Sequence, residues 1–133
     1  MTETPEVLTN AQKLMDDREA ANVASPQGGA VWNLDRPARD LDSNVIVLPP
    51  GDAIAPHTGP ELDVLITVLR GAGVLLTHND DGDATEIPLV EGDIVWLPKR
   101  STRGFQTGKQ GLCYLTVHQR KPGLRIMSGP PSS

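Results

Sequence analysis

GDAIAPHTGPELDVLITVLRG, residues 51–71, is the stretch on which the fold turns. A Gly-Asp pair opens it as a turn. His57 follows at the mouth of a short loop broken by Pro56, Gly59 and Pro60. An apolar run from Val64 to Leu69 comes next and stops at Gly71. GDIVWLPKRSTRGF, residues 92–105, has the same grammar: Gly-Asp, an apolar strand, a proline, then a polar residue where chemistry can sit. Apolar runs this short, bounded by Gly and Pro, read as strands. Two such units separated by a hairpin predict a small β-barrel with a pocket.

The neighbouring segments fit that frame. Short strands are expected at Val31–Leu34, Asn44–Leu48, Asp63–Arg70, Val74–His78, Ala84–Leu89, Ile94–Leu97, Ser101–Thr107 and Leu112–Arg120. Arg36–Ser43 reads as a loop. Asp81-Gly82 suits the positive φ of a hairpin turn. The acidic tip Asn79–Asp83 lacks the spacing and terminal Glu of a calcium loop, so it reads as solvated. Turns recur about every eight to twelve residues and no long helix separates the strands, which predicts an antiparallel, all-β architecture. Before the barrel, residues 1–24 read as a helical arm. Thr4 is placed to cap it, Pro5 suits its first position, and Val7, Ala11, Leu14 and Met15 form a thin apolar stripe. The expected division is an arm and linker at 1–29, a barrel at 30–121 and a tail at 122–133.

Composition narrows the function. The 133 residues carry a net charge of −5, and all 17 acids lie at or before Asp93. Seven of the 12 Lys and Arg follow it. A basic tail for nucleic acid is one reading. Interleaved strands that set a basic third against acidic ones are the other, and the scarcity of aromatic residues to stack bases favours it. No nucleic-acid and no membrane partner is therefore expected. No apolar run is long enough to span a bilayer, and no signal peptide is evident. Cys113 is the single cysteine, which suits a reducing, cytoplasmic setting and reads as a buried structural thiol.

The two Gly-Asp units resemble the paired motifs of the cupin superfamily, in particular small bacterial single-domain cupins with degenerate metal motifs. Gly51, five residues and His57 match the first motif. The second histidine position holds Gly59, and the glutamate position falls on Asp63 or Val64. In the second motif Gly92, five residues and Pro98 match, while the glycine, histidine and asparagine positions hold Arg100, Arg103 and Thr107. The resemblance implies a double-stranded β-helix, the cupin jelly-roll barrel, over about residues 44–120, and a homodimer. It also implies that one of four metal-ligand positions, His57, survives.

A guanidinium has no lone pair to give a metal and repels a cation. With Arg103 where the resemblance puts a ligand histidine, the expected function is binding of a small anionic or polar molecule without metal or other cofactor. The residues expected to line that pocket are His57, Arg103, Trp96, Asp63 and His118. Pairing of Arg103 with Glu61 or Asp63 at the rim is the competing reading. The alternative function is enzymatic. One form is a metal-dependent oxygenase or isomerase using Fe, Mn, Ni or Zn on His57, His118 and Asp63 or Glu61. The other is a metal-free epimerase or isomerase with His57 as acid–base.

Overall fold

The computed structural model describes residues 4–21 and 28–120. Helix α1 spans Ala11–Ala21. Seven strands follow: β1 Gly29–Asn33, β2 Leu41–Leu48, β3 Ala53–Thr58, β4 Val64–His78, β5 Ala84–Val90, β6 Ile94–Leu97 and β7 Thr102–Gln119. Every strand pairing is antiparallel. The expected all-β barrel is what forms. The tail and most of the linker lie outside the described residues.

Two long strands build it. The first half of β4 pairs with β6 and with the second half of β7, which carries β2 and then β1. The second half of β4 pairs with β5 and with the first half of β7, which carries β3. β4 and β7 therefore belong to both sheets and bend between them. The sequence predicts a turn at Gly71-Ala72-Gly73 and another at Gly108–Gly111. Both become bends, because each long strand finds partners on both sides of its glycines. At the corner Gly71 and Gly111 take φ of 84° and 78°. A Cβ on Gly71 would overlap the Gly111 carbonyl. Glycine is what lets the two backbones meet there.

Strand alternation sorts the side chains. Val64, Ile66, Val68, Leu97, Leu112 and Tyr114 from one sheet meet Leu75, Leu89 and Phe105 from the other in a single core. The Phe105 and Tyr114 rings stack with centroids 5.1 Å apart. On the outer face Val45 and Cys113 are covered by Met15 of α1. Arg70 lashes the helix down, reaching Glu19 at 2.5 Å and Asp16 at 3.6 Å, and also Glu91 at 3.3 Å.

Three local expectations are corrected. The helix begins at Ala11, not at Pro5, because Asn10 is the cap: its side chain accepts from the Lys13 amide at 2.9 Å. Val7 is consequently left exposed, outside the apolar stripe. The loop expected at Arg36–Ser43 ends early, since Leu41–Ser43 pair with Val117–Gln119 of β7. His57 lies on a strand, β3, which Pro56 disguises. The pairing with β7 slips between Ile54 and His57, and that irregularity accommodates the proline. The Asn79–Asp83 tip is an exposed hairpin turn as expected, with the Asn79 side chain accepting from the Asp81 and Asp83 amides.

Candidate functional site

The site is built around Arg103. Near the start of β7, alternation that puts Phe105 in the core puts Arg103 on the same inner face, and the side chain is 1% exposed. It is the one buried charged residue among those described. Its Nη2 donates to the Pro98 carbonyl at 2.8 Å and to Ser101 Oγ at 2.9 Å. Nε and Nη1 are buried and find no acceptor among the described residues. Among the described residues no carboxylate pairs with it. Burial pushes its pKa below the ordinary arginine value, since the charged form has lost its water. A buried donor without a partner costs roughly 1–3 kcal/mol, and here two nitrogens of a cation are in that state.

Local chemistry explains how the guanidinium is held. Gly59 lies directly against it: a Cβ at that position would overlap Cζ, Nη2 and Nε. The loop carrying Gly59 is zipped to the turn after β6. The Gly59 amide donates to the Ser101 carbonyl at 3.0 Å and the Arg100 amide to the Pro60 carbonyl at 2.8 Å. The turn closes with the Ser101 amide on the Pro98 carbonyl at 3.0 Å. Arg100 takes a φ of 62° within it. That is the glycine position of the resembled motif, and a side chain in the left-handed region carries strain.

The other predicted residues divide. His57 is the cross-strand partner of Arg103, so both face the same way. Its Nδ1 lies 3.0 Å from the Ala55 carbonyl, which only accepts, so Nδ1 donates there. His118 pairs with buried Val64 and shares its face. Tyr114 and Thr116 of that row are buried, so the polar row of β7 turns inward and Leu115 and Val117 turn outward, although its polarity suggests solvent. Thr116 Oγ1 is held by the Asn44 side chain.

Asp63 does not reach Arg103. Its Oδ1 accepts from the Lys99 amide at 2.9 Å and locks the turn. Glu61 takes Arg100 instead, at 2.7 Å. The rim pairing expected for Arg103 is thus made by the residues around it. Trp96 lies outside the group. It is 62% exposed and stands opposite Leu65 on the outer face, because it alternates with buried Leu97. The parts that sequence reasoning missed are Ser101, the Pro98 carbonyl and the contact of Gly59. The signal for them is small: a glycine where the motif has histidine, and a serine closing the proline turn.

The donor set does not fit a divalent metal. Among the described residues no three His, Cys, Asp or Glu side chains are grouped to hold one. Asp63 and Glu61, which the metal reading needs, are engaged elsewhere. The interior position is a cation with unused donors, the inverse of a metal ligand.

A crevice of about 230 Å³ lies elsewhere, between α1 and the barrel, lined by Met15, Val47, Pro49, Arg70, Leu112 and Cys113 among others. It holds none of the five predicted residues, and its Arg70 is already matched by three acids. Arg103 is the stronger anchor for a ligand, because its buried donors demand an acceptor. The Cys113 thiol is buried and pushed up to about 11 by desolvation. Only thiolate reacts, so Cys113 is expected to alkylate on the order of 100-fold more slowly at pH 8 than an ordinary exposed cysteine. Its rate should keep climbing beyond pH 10. Labelling of the native protein at the rate of a free thiol at pH 8 contradicts this burial.

No family model matches the chain, and no curated protein does either. Solved structures do. A double-stranded β-helix protein from Klebsiella pneumoniae matches with a TM-score of 0.59 and 18% identity, over 86% of this chain and 90% of that one. A cupin superfamily protein from Desulfitobacterium hafniense matches with a TM-score of 0.59 and 16% identity, over 75% and 84%. Peruvianin-I from Thevetia peruviana latex, a cysteine peptidase, matches with a TM-score of 0.55 and 21% identity over 63% of this chain, which spans 53% of its length. Of the described residues, no helix is long and apolar enough to cross a membrane. With its two sheets sharing β4 and β7, the chain has the double-stranded β-helix fold of the cupin superfamily.

Proposed function

We propose that the barrel binds a small anionic molecule, anchored on the buried guanidinium of Arg103 with His57 beside it. The observation that carries this reading is the pair of buried donors, Nε and Nη1, from which no group of the described residues accepts. A charge-assisted hydrogen bond to an oxyanion is about twice as strong as a neutral one. It also answers the desolvation that Arg103 otherwise carries uncompensated. His57 adds a ring on the same face one strand away. The Pro98–Ser101 turn holds the guanidinium plane through Nη2 before any ligand arrives, which lowers the ordering cost of binding.

The test is direct. In the 15N-labelled chain the Arg103 Nε–H signal is identified by its loss in Arg103→Met. A panel of small carboxylates and phosphate should contain at least one anion that shifts that signal saturably, and the same anion should raise the melting temperature of the parent but not of the variant. An Nε–H signal indifferent to every anion, or thermal stabilisation that survives in Arg103→Met, refutes the assignment.

A further inference from the structure

Resting on that reading, we infer that the ligand is a small apolar acid with one carboxylate, gripped through single contacts, with Ser101 as the second reader of the anion. Two features select it.

The first is charge. Arg103 is the one buried charge among the described residues. Phe105, on the same inner face of β7, belongs to the apolar core, and that core also takes Leu62 from the loop after Gly59 and Leu97 from the position before Pro98. An ion left unmatched in such surroundings is strongly disfavoured. One carboxylate cancels one guanidinium and leaves a neutral pair. A dicarboxylate or a phosphate dianion leaves a net negative charge inside the barrel. The apolar surroundings also suit the hydrocarbon part of a simple acid and offer a second charged head nothing.

The second is donor geometry. A guanidinium presents two forked edges to a carboxylate, and Nη2 belongs to both. Both Nη2 hydrogens are committed, to the Pro98 carbonyl and to Ser101 Oγ. Fork-to-fork pairing is therefore closed, and what is left is one-point donation from Nη1 or Nε. Ser101 Oγ accepts from Nη2, so its own O–H still has a proton to donate. One carboxylate oxygen takes the arginine donor and the other takes the Ser101 hydroxyl. Because Nε and Nη1 are buried, the acid reaches them by parting the seam between the Gly59–Asp63 loop and the Pro98–Ser101 turn.

The experiment titrates the labelled full-length chain at about pH 8, where malonate and most of the phosphate are dianions, with butyrate, malonate and inorganic phosphate at matched ionic strength, reading the Arg103 Nε–H signal. Butyrate should bind at least about tenfold more tightly than either dianion, a difference of roughly 1.4 kcal/mol. Ser101→Ala should weaken butyrate by roughly fivefold while leaving the Nε–H signal in place, the effect of one lost hydrogen bond. Malonate or phosphate binding as tightly as butyrate overturns the monoanion assignment but leaves the anion site standing. Unchanged butyrate affinity in Ser101→Ala overturns the role of Ser101. A signal that none of the three anions moves overturns both the inference and the reading beneath it.

Discussion

Arg103→Met is expected to make the protein more stable while abolishing anion binding. Methionine matches the length of the arginine stem and bends to fill irregular space. It removes a buried cation for which the described residues supply no counter-ion, and two nitrogens for which they supply no acceptor. Replacing buried ionic groups by apolar ones of similar volume stabilises by about 1–4 kcal/mol where the charge was poorly compensated. What is lost is two hydrogen bonds from Nη2. The Pro98 carbonyl keeps the Ser101 amide as a donor, so the substitution strands little. A net gain of about 2 kcal/mol is expected, read as a higher urea midpoint at unchanged slope. A variant less stable than the parent by about 1 kcal/mol or more shows that the guanidinium is well satisfied as it stands, and removes the main support for an anion site.

Gly59→Ala should have the opposite sign. The new methyl group would occupy the place of the Arg103 guanidinium. Gly59 is not in the left-handed region, so alanine brings no backbone strain and the cost is steric. Overpacking a fitted interior costs about 1–3 kcal/mol, and displacing Nη2 from its two acceptors adds to it. A loss of about 3 kcal/mol follows. The same change made in Arg103→Met should cost under about 1 kcal/mol, because the flexible methionine end can move aside. The coupling of roughly 2 kcal/mol between the two positions is the decisive quantity. Equal costs in both backgrounds mean that residue 59 meets something other than Arg103.

Much of the fold is legible in the residues themselves. Runs such as Ile94–Leu97 and Val64–Leu69 alternate or stay apolar between Gly and Pro; β6 has both ends where that pattern sets them and β4 its start, while β4 runs on past Gly71 to His78. β3 is hidden because Pro56 and the polar His57 imitate a loop, and only its partner β7 makes it a strand. The helix start is hidden because Thr4-Pro5 and Asn10 are both acceptable beginnings. The packing of Met15 on Val45 and Cys113 favours the later one. Trp96 shows the limit of parity: alternation says that it opposes Leu97, but not which of the two faces inward.

Composition and turn chemistry by themselves determined that this chain is a barrel of short antiparallel strands. They also set Gly59 and Arg103 at positions where the resembled motif places metal-binding histidines. Those are local properties, carried by the spacing of glycines, prolines and apolar residues along one segment. The fate of the Arg103 charge was decided only in three dimensions. Glu61 and Asp63 both stood near enough in sequence to the zipped loop to be its counter-ion. Arg100 and the Lys99 amide take them instead, because the turn from Pro98 to Ser101 brings those groups to the loop and sends Arg103 inward with the strand. Gly59, 44 residues earlier in the chain, then leaves the space that the guanidinium fills. Which charges meet depends on strand register and on the space between side chains, and neither is written in any single stretch.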